Sequence, residues 1–234
     1  MSAKLYRLLF VGAPGVGKGT YSVRVASALK CAAISSGDLL RKEVADKTEI
    51  GQQVKALIEN GTYVPDELIT NMVASHLAAL SATPEGASGY ILDGYPRNVA
   101  QARTLWGSKA IAIDHVINLT QPRSVIIAKL SSRRMCPDCG FAYNFAKINE
   151  GGIQMEPLVP KVEGVCDKCG STKALNTRKD DELSVVMKRQ DEYEAISGPL
   201  LEFYKEKGIL HDFAILGSAK VYAPKLLEFI RKLY

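Results

Sequence analysis

Apolar runs of strand length alternate along the chain with segments whose apolar residues recur at helical spacing. The strand-like runs cover residues 5–11, 90–93, 115–119 and 209–216. Short, nearly continuous apolar runs are typical of parallel strands that are buried on both faces beneath covering helices. The pattern therefore predicts an α/β fold with a parallel sheet between two helical layers, completed by a helix over residues 223–233.

Two stretches interrupt this alternation. Residues 36–64 predict two short helices, 38–46 and 51–60, with no strand between them. Residues 135–172 contain four Cys, several Gly and Pro, and little helical periodicity. A structureless loop of that length is uncommon inside a compact domain. We therefore expect a core of residues 1–35, 65–134 and 173–234, with small inserts at 36–64 and 135–172.

Composition places the chain among ordinary globular proteins. Its 234 residues are 47% apolar and 24% charged, and no run approaches the roughly 20 apolar residues of a membrane span. Residues 1–4 are too short for a cleavable targeting peptide, so we expect a cytoplasmic protein, with the mitochondrial matrix through an uncleaved signal as the alternative. The net charge of +5 is scattered, which favours solvated charge over a nucleic-acid or membrane surface.

A glycine-rich loop follows the first predicted strand and opens a helix. Its sequence is Gly12-Ala-Pro-Gly-Val-Gly-Lys-Gly-Thr20. Glycines let successive backbone N–H groups point at phosphate oxygens, the helix N-terminus adds its positive dipole end, and Lys18 reaches the outer phosphates. The general motif places Ser or Thr directly after the Lys, whereas Gly19 stands there and Thr20 follows. The loop predicts a nucleoside triphosphate site.

Four of the five Cys form two Cys-x-x-Cys-Gly motifs. They are Cys136/Cys139 and Cys166/Cys169, separated by residues 140–165. Two such turns can supply four thiolates to a closed, structural tetrahedral zinc site. Disulfides, redox chemistry or free thiols are the alternatives. We expect Cys31 to be a small buried apolar residue.

Six motifs, in this order, resemble those of the adenylate kinase family of nucleoside monophosphate kinases. They are Gly17-Lys-Gly-Thr20, Ser35-Ser-Gly-Asp-Leu-Leu-Arg41, Val64-Pro-Asp-Glu-Leu68, Leu92-Asp-Gly-Tyr-Pro-Arg97 with Gln101, Arg133-Arg134, and Thr177-Arg-Lys-Asp-Asp181 with Arg189. The resemblance implies a three-layer αβα P-loop fold with five parallel strands, a helical AMP-binding insert at 36–64, and a β-rich zinc-bound lid at 135–172. Family members with such a metal site usually have a shorter spacer, so the surplus around residues 147–152 predicts an extended hairpin.

The resemblance also implies roles for individual residues. The catalytic set is Lys18, Arg97, Arg133, Arg178 and Arg189. The triphosphate-binding set is Gly15, Val16, Gly17, Lys18, Gly19, Thr20, Lys129, Arg133, Ala142, Tyr143 and Ala219. The AMP-binding set is Ser36, Arg41, Thr62, Tyr63, Val64, Gly94, Tyr95, Pro96, Arg97, Gln101, Arg178 and Arg189. Asp93 would orient the waters of the magnesium ion that accompanies the triphosphate.

Some of these roles have competing interpretations. Sequence pattern alone also allows Arg133 and Arg189 to lie on solvated helix faces, and Asp180 and Asp181 either orient these arginines or cap the following helix. His76, His115 and His211 show no metal-ligand spacing and are expected to be structural.

The bases of the two nucleotides are specified unequally. Gln101 offers the donor and acceptor edge that suits adenine. Asn98 resembles uridylate-cytidylate kinases, whose lid is short, whereas residues 36–51 resemble GTP:AMP phosphotransferases. At Lys129 the family usually has an arginine that stacks on the donor base.

The sequence therefore predicts a monomeric enzyme that transfers a phosphoryl group from ATP, or alternatively GTP, to AMP. A zinc-knuckle ATPase that binds nucleic acid is the alternative from another class, but residues 135–172 carry few aromatics and no basic stripe. A non-catalytic nucleotide-binding scaffold is disfavoured because Lys18, Arg97 and Arg178 are all present.

Overall fold

The computed structural model describes residues 4–60, 62–80, 83, 86–107 and 111–234. Its centre is a five-stranded sheet in which all neighbouring strands are parallel. The strands are β1 (Tyr6–Val11), β2 (Ala32–Ser35), β3 (Gly89–Asp93), β4 (His115–Thr120) and β9 (Leu210–Ala214), and their spatial order is β2-β3-β1-β4-β9. The predicted parallel sheet is confirmed. Its edge strand β2 did not stand out in the sequence because it has only four residues.

Alternation along β1 divides the core between the two faces of the sheet. Leu8 and Phe10 pack on one side, and Leu9 and Val11 pack on the other, because successive strand side chains point in opposite directions. The first side is covered by α1 (Lys18–Leu29), α6 (Arg123–Ser131) and α8 (Ala219–Leu233). The second side is covered by α4 (Asp66–Leu80), α5 (Val99–Gly107) and the later half of α7 (Leu183–Glu206). The predicted three-layer αβα architecture is therefore confirmed.

Residues between β2 and α4 form two helices, as predicted, with shifted ends. They are α2 (Ser36–Ala45) and α3 (Glu49–Glu59). The hydroxyls of Ser35 and Thr48 accept hydrogen bonds from the first turns of these helices, which moves each helix start upstream of the predicted residue. A Cβ on Gly51 would lie 2.1 Å from the backbone oxygen of Glu43, so this glycine allows the two helices to touch.

The second insert is built from short antiparallel strands. β5 (Arg133–Met135) pairs with β6 (Ala142–Asn144), and β7 (Ile148–Glu150) pairs with β8 (Ile153–Met155). The predicted hairpin is present as β7–β8, which turns at Gly151 and Gly152, both with positive φ. Among the described residues no helix is long and apolar enough to cross a membrane.

Candidate active site

The phosphate-binding loop is shaped by glycines at the carboxyl end of β1. Gly12, Gly15 and Gly17 have φ of 138°, 88° and 115°, a region that L side chains rarely adopt. A Cβ on Gly12 would lie 2.4 Å from the backbone oxygen of Leu119. Gly17 caps α1 without any side-chain acceptor, which leaves N–H groups of the first turn for a bound anion. The structure thus gives the loop the backbone that the sequence predicted.

Lys18 lies inside this loop. Its Nζ donates to the backbone oxygens of Gly12 at 2.7 Å and of Ala13 at 3.1 Å. Burial lowers the pKa of Lys18 to about 8, against the opposing attraction of Asp93. The ammonium group is therefore poorly solvated, and a phosphate oxygen would stabilise its charge.

Asp93 ends β3 beside Lys18 and is 7% exposed. Burial raises the pKa of this carboxyl group, although the positive charges of Lys18 and Arg97 oppose the shift. A Cβ on Gly19 would lie 3.4 Å from Asp93 Oδ2, so the glycine after the Lys lets α1 pass close to the carboxylate. A carboxylate next to a phosphate site suits a hydrated magnesium ion, which usually keeps several waters.

Partly buried arginines from several elements lie close enough to repel one another. Burial lowers the pKa of Arg97, and repulsion from Arg189 and Arg41 contributes. Burial likewise lowers the pKa of Arg178 to about 10, with repulsion from Arg41 and Arg133. The predicted catalytic cations thus act electrostatically on one another, and an anion among them would relieve their mutual repulsion.

Two buried aspartates hold two of these arginines. Arg133 donates from Nε and a terminal nitrogen to Asp181 at 2.7 and 2.5 Å, and Arg189 donates to Asp180 Oδ2 at 2.8 Å. Asp180 and Asp181 form a short 3₁₀ helix (Lys179–Asp181), and neither side chain caps α7. Of the two interpretations of this acidic pair, the geometry supports the orientation of arginines. Arg178 begins the same turn and makes no ion pair with the described residues.

The predicted acceptor side lies between α2 and the turn after β3. Ser36 is 1% exposed, and its Oγ has no hydrogen-bond partner among the described residues. A Cβ on Gly94 would lie 2.7 Å from that Oγ. Arg97 donates from Nε to the backbone oxygen of Gly94 at 2.7 Å, and its guanidinium lies 5.4 Å from the ring centre of Tyr63. Arg41 approaches from α2, where it pairs with Asp38.

Other residues predicted to bind AMP have side chains that are already engaged by the protein. Tyr95 is 1% exposed, and its hydroxyl lies 2.9 Å from Thr70 Oγ1 in a hydrogen bond. The turn can therefore present only the backbone of Tyr95 and Pro96 to a nucleotide. Thr62 Oγ1 accepts from Lys188 at 3.1 Å, and Val64 is buried in the core.

Gln101 is held by two protein contacts. Its Oε1 accepts from the Arg97 backbone N–H at 2.7 Å, and its Nε2 donates to Asp66 Oδ1 at 2.6 Å. Asn98 also donates to Asp66, at 3.1 Å. Asp66 therefore fixes both amides that sequence analysis considered for base recognition, and Gln101 is positioned before any nucleotide arrives.

Lys129 occupies an unexpected position on the donor side. Its Nζ donates to the backbone oxygen of Val16 at 3.0 Å and to Gln121 Oε1 at 2.8 Å. Burial lowers the pKa of Lys129 to about 8, and repulsion from Arg133 and Lys18 contributes. The lysine thus braces the phosphate loop instead of presenting a flat surface to a base.

The remaining donor residues divide between backbone and side-chain positions. Thr20 is exposed in the first turn of α1, and Ala219 begins α8. Ala142 lies in β6. The neighbouring Tyr143 is 1% exposed, and its hydroxyl contacts Cys166 Sγ at 3.7 Å and the Asp167 N–H at 2.7 Å. The Tyr143 side chain therefore supports the cysteine cluster, which leaves its backbone for the nucleotide.

Comparison with known proteins identifies the chain. A family model described as adenylate kinase matches residues 10–209. This chain belongs to the adenylate kinase family. It is 39% identical over 229 residues to adenylate kinase 1, chloroplastic, of Arabidopsis thaliana. The matched region spans 95% of this chain and 77% of that relative. It is 38% identical over 207 residues to adenylate kinase of Thermoanaerobacter sp. (strain X514), and the match spans 87% of this chain and 88% of the relative. It is 39% identical over 215 residues to adenylate kinase of Thermodesulfovibrio yellowstonii, and that match spans 91% of this chain and 93% of the relative. Family membership establishes phosphoryl transfer to nucleoside monophosphates as the general activity.

This adenylate kinase family member carries a four-cysteine cluster in its second insert. The Sγ atoms of Cys136, Cys139, Cys166 and Cys169 all lie within 4.8 Å of one another, and two of the pairs are 3.7 Å apart. Tetrahedral zinc with Zn–S bonds of about 2.3 Å requires S···S separations of roughly 3.8 Å. Each pair sits on a matching turn, with Gly140 and Gly170 donating to the backbone oxygens of Cys136 and Cys166. The cluster can hold a metal such as zinc, and all five cysteines, which lie within the described residues, are free thiols.

The residues outside these sites keep structural positions. Cys31 is 6% exposed, and burial raises the pKa of its thiol to about 11, which agrees with the prediction of a buried apolar residue. His115 Nδ1 and His211 Nε2 lie 3.1 Å apart on neighbouring strands and are not part of the cysteine cluster.

Sequence reasoning missed several supporting residues. Asp66 lies in a recognised motif but carried no assigned role, and Gln121 gave no signal at all. Gln190 on α7 donates to the backbone oxygen of Pro14 at 2.8 Å and thereby ties the helix that follows the lid to the phosphate loop. These residues act through partners distant in sequence, so no local pattern marks them.

Proposed function

We propose that this enzyme transfers the γ-phosphoryl group of a nucleoside triphosphate to AMP and releases two nucleoside diphosphates. We take ATP as the donor, with GTP as the alternative. The supporting observation is a group of partly buried cations, Lys18, Arg97 and Arg178, whose charges are poorly solvated and lie close to those of other basic side chains. Phosphoryl transfer requires two nucleotides held in line and charge neutralised on the moving group, which such a group can supply.

The roles divide along the cleft. Lys18 and the N–H groups of residues 15–20 would bind the triphosphate, and Arg41 and Arg97 would bind the phosphate of AMP. Arg133, Arg178 and Arg189 would contact the transferring group. Asp180 and Asp181 already fix two of these three, so less side-chain entropy is lost when the substrate binds.

Two metals complete the proposal. Asp93 would hold waters of the magnesium ion that enters with the triphosphate, and that ion supplies charge neutralisation between the phosphates. The four cysteines would hold zinc as a closed structural site, which contributes folding energy to a lid too small for a large apolar core.

We further propose that residues 36–64 and 135–172 move as two lids against the remaining core, with the β7–β8 hairpin of the second lid staying packed on Val125 of α6. We also propose that the enzyme is a monomer in a reducing compartment. Lid closure would exclude water from the reacting groups and so favour transfer to AMP over hydrolysis.

A direct assay tests the reaction. Diphosphate formation is measured with ATP or GTP as donor and with AMP, CMP or UMP as acceptor, each at matched magnesium. We expect turnover that requires AMP and is faster with ATP. Equal or greater turnover with CMP or UMP would identify a uridylate-cytidylate-type enzyme. No acceptor-dependent turnover with either donor would refute the proposal.

A further inference from the structure

The hairpin β7–β8, in the spacer between the cysteine pairs, packs on the core of the enzyme. Ile148 and Ile153, 7% and 1% exposed, form a small apolar cluster with the fully buried Val125 of α6. The cysteines form a separate cluster with Tyr143, Phe141 and Leu175. The hairpin is therefore anchored by the core helix α6, and among the described residues it does not belong to the apolar cluster around the four thiols.

Polar contacts hold the hairpin at two further points. The hydroxyl of Ser124, in the first turn of α6, donates to Glu150 Oε1. On the other strand of the hairpin, Gln154 forms a parallel β-bridge with Gly217, just before α8. The lid thus contacts two core segments besides the strands that connect it to the core.

Two residues before Gly217, a series of hydrogen bonds begins at Ile215 and reaches the phosphate loop. Gln121 Nε2 donates to the backbone oxygen of Ile215 at 3.0 Å, and Gln121 Oε1 accepts from Lys129 at 2.8 Å. Lys129 in turn donates to Val16 in the phosphate loop at 3.0 Å. The hairpin contacts therefore lie on the donor side, beside Ala219 and away from Ser36 and Arg41.

We propose that the β7–β8 hairpin is a positioning element that holds residues 215–219 and the lid together around the nucleoside part of the donor triphosphate. The acceptor site lies on other elements and does not depend on it. The proposal rests on the proposed function, because that function makes residues 215–219 part of the donor site.

The test compares two substitutions in one hairpin. Ile153→Ser removes the buried anchor, whereas Asn149→Ser changes an exposed residue on the facing strand. We expect Ile153→Ser to raise the KM for the triphosphate by about fivefold or more, because the buried isoleucine side chain supplies much of the apolar packing between the hairpin and α6. The KM for AMP and the metal content per chain stay within about twofold of the Asn149→Ser protein.

Hydrogen exchange supplies a readout independent of activity. The amides of residues 215–222, among which Ile215 N donates to Thr120 and Tyr222 N to Ser218, should exchange faster in Ile153→Ser than in Asn149→Ser. Ser124→Ala, which leaves the lid sequence intact, should shift the same amides in the same direction and keeps the test valid if Ile153→Ser does not fold.

Each remaining outcome contradicts the proposal. An unchanged triphosphate KM, an equal rise in both KM values, or loss of metal together with donor affinity would show that the hairpin serves lid folding or nothing at all. If the unaltered enzyme transfers no phosphoryl group, the proposed function fails, while the exchange of residues 215–222 still decides whether the hairpin holds that segment.

Discussion

Arg133 and Asp181 form a bidentate ion pair between the segments that precede and follow residues 135–172. Arg133 lies in β5, where the lid begins, and Asp181 lies in the 3₁₀ helix after it, with a side chain only 3% exposed. The two donor–acceptor distances are 2.7 and 2.5 Å. The same contact therefore closes the base of the lid and aims an arginine proposed to bind the transferring phosphoryl group.

Asp181→Asn should weaken both functions of this pair. The amide keeps the shape of the carboxylate but loses its charge and one acceptor, so Arg133 becomes less fixed. We expect kcat to fall roughly tenfold and the free energy of unfolding to fall by about 1–3 kcal/mol. Asp191→Asn is the matched control, because Asp191 pairs with Arg123 at the surface and such pairs contribute about 0–1 kcal/mol. Equal effects of the two substitutions in denaturant titrations and steady-state kinetics would contradict this assignment.

Arg97→Ala should abolish most turnover without destabilising the fold. The guanidinium is buried among like charges, which lowers the pKa of Arg97, so its removal relieves repulsion while it deletes a phosphate ligand. We expect a loss on the order of 10²-fold or more in kcat/KM for AMP, and a change within about 1 kcal/mol in unfolding free energy. Arg103→Ala, at an exposed position of α5, should leave both unchanged. Near-normal turnover of Arg97→Ala would remove Arg97 from the site.

The pH dependence of donor binding should report the buried Lys18. Burial lowers the pKa of Lys18 to about 8, so the free enzyme loses this positive charge as pH rises through that value. The kcat/KM for the triphosphate, which reports the free enzyme, should therefore decline above about pH 8. The contribution of Lys18 to stability should move oppositely. Between about pH 8 and 10.4 its amine is protonated in the unfolded chain but not in the folded one, so this contribution rises with pH.

Lys129 provides the control for that assignment. Burial also lowers the pKa of Lys129 to about 8, so either lysine can produce the decline. Lys129→Met keeps the length of the side chain and removes its titration. Persistence of the decline in Lys129→Met assigns it to Lys18, and a profile that becomes flat assigns it to Lys129. A flat profile in the unaltered enzyme would contradict a role for either ammonium group.

Metal removal should loosen the lid. If the four thiolates hold zinc, a chelator removes folding energy from residues 135–172, and we expect Tm to fall by about 5 °C or more. Cys169→Ser should lose the bound metal. Cys31→Ala, at a buried position between α1 and β2 and outside the cysteine cluster, should retain it. Metal content by mass spectrometry and thermal melts measure both effects. An unchanged melt in a protein without bound metal would refute the zinc site.

Part of the site could be predicted because its geometry is local. The residues of the phosphate loop are contiguous, and its positive φ angles fall on glycines of the motif itself. The two cysteine turns are likewise local. Each Cys-x-x-Cys turn places two thiols side by side, so a single contact between the two turns gives the observed cluster. Helix starts were less accurate, since the Ser35 and Thr48 caps extend α2 and α3 beyond the apolar pattern.

Roles that depend on distant partners required the fold. Asp181 meets Arg133 across 48 residues, and Asp66 meets Gln101 across 35. Lys129 illustrates the limit. The sequence showed a lysine where the family resemblance implies an arginine, but it did not show that Gln121 and Val16 would bind that lysine.

The amino-acid sequence by itself determined the α/β class, the phosphate loop, the cysteine pairs and the family, because each is encoded by short spacing or by motifs in order. Only the tertiary structure decided that Asp180 and Asp181 orient arginines, that Asp66 fixes Gln101, and that the extra hairpin rests on Val125 and Gly217. The physical reason is that contacts between separate elements depend on the packing of the whole sheet and its covering helices, which no single segment specifies.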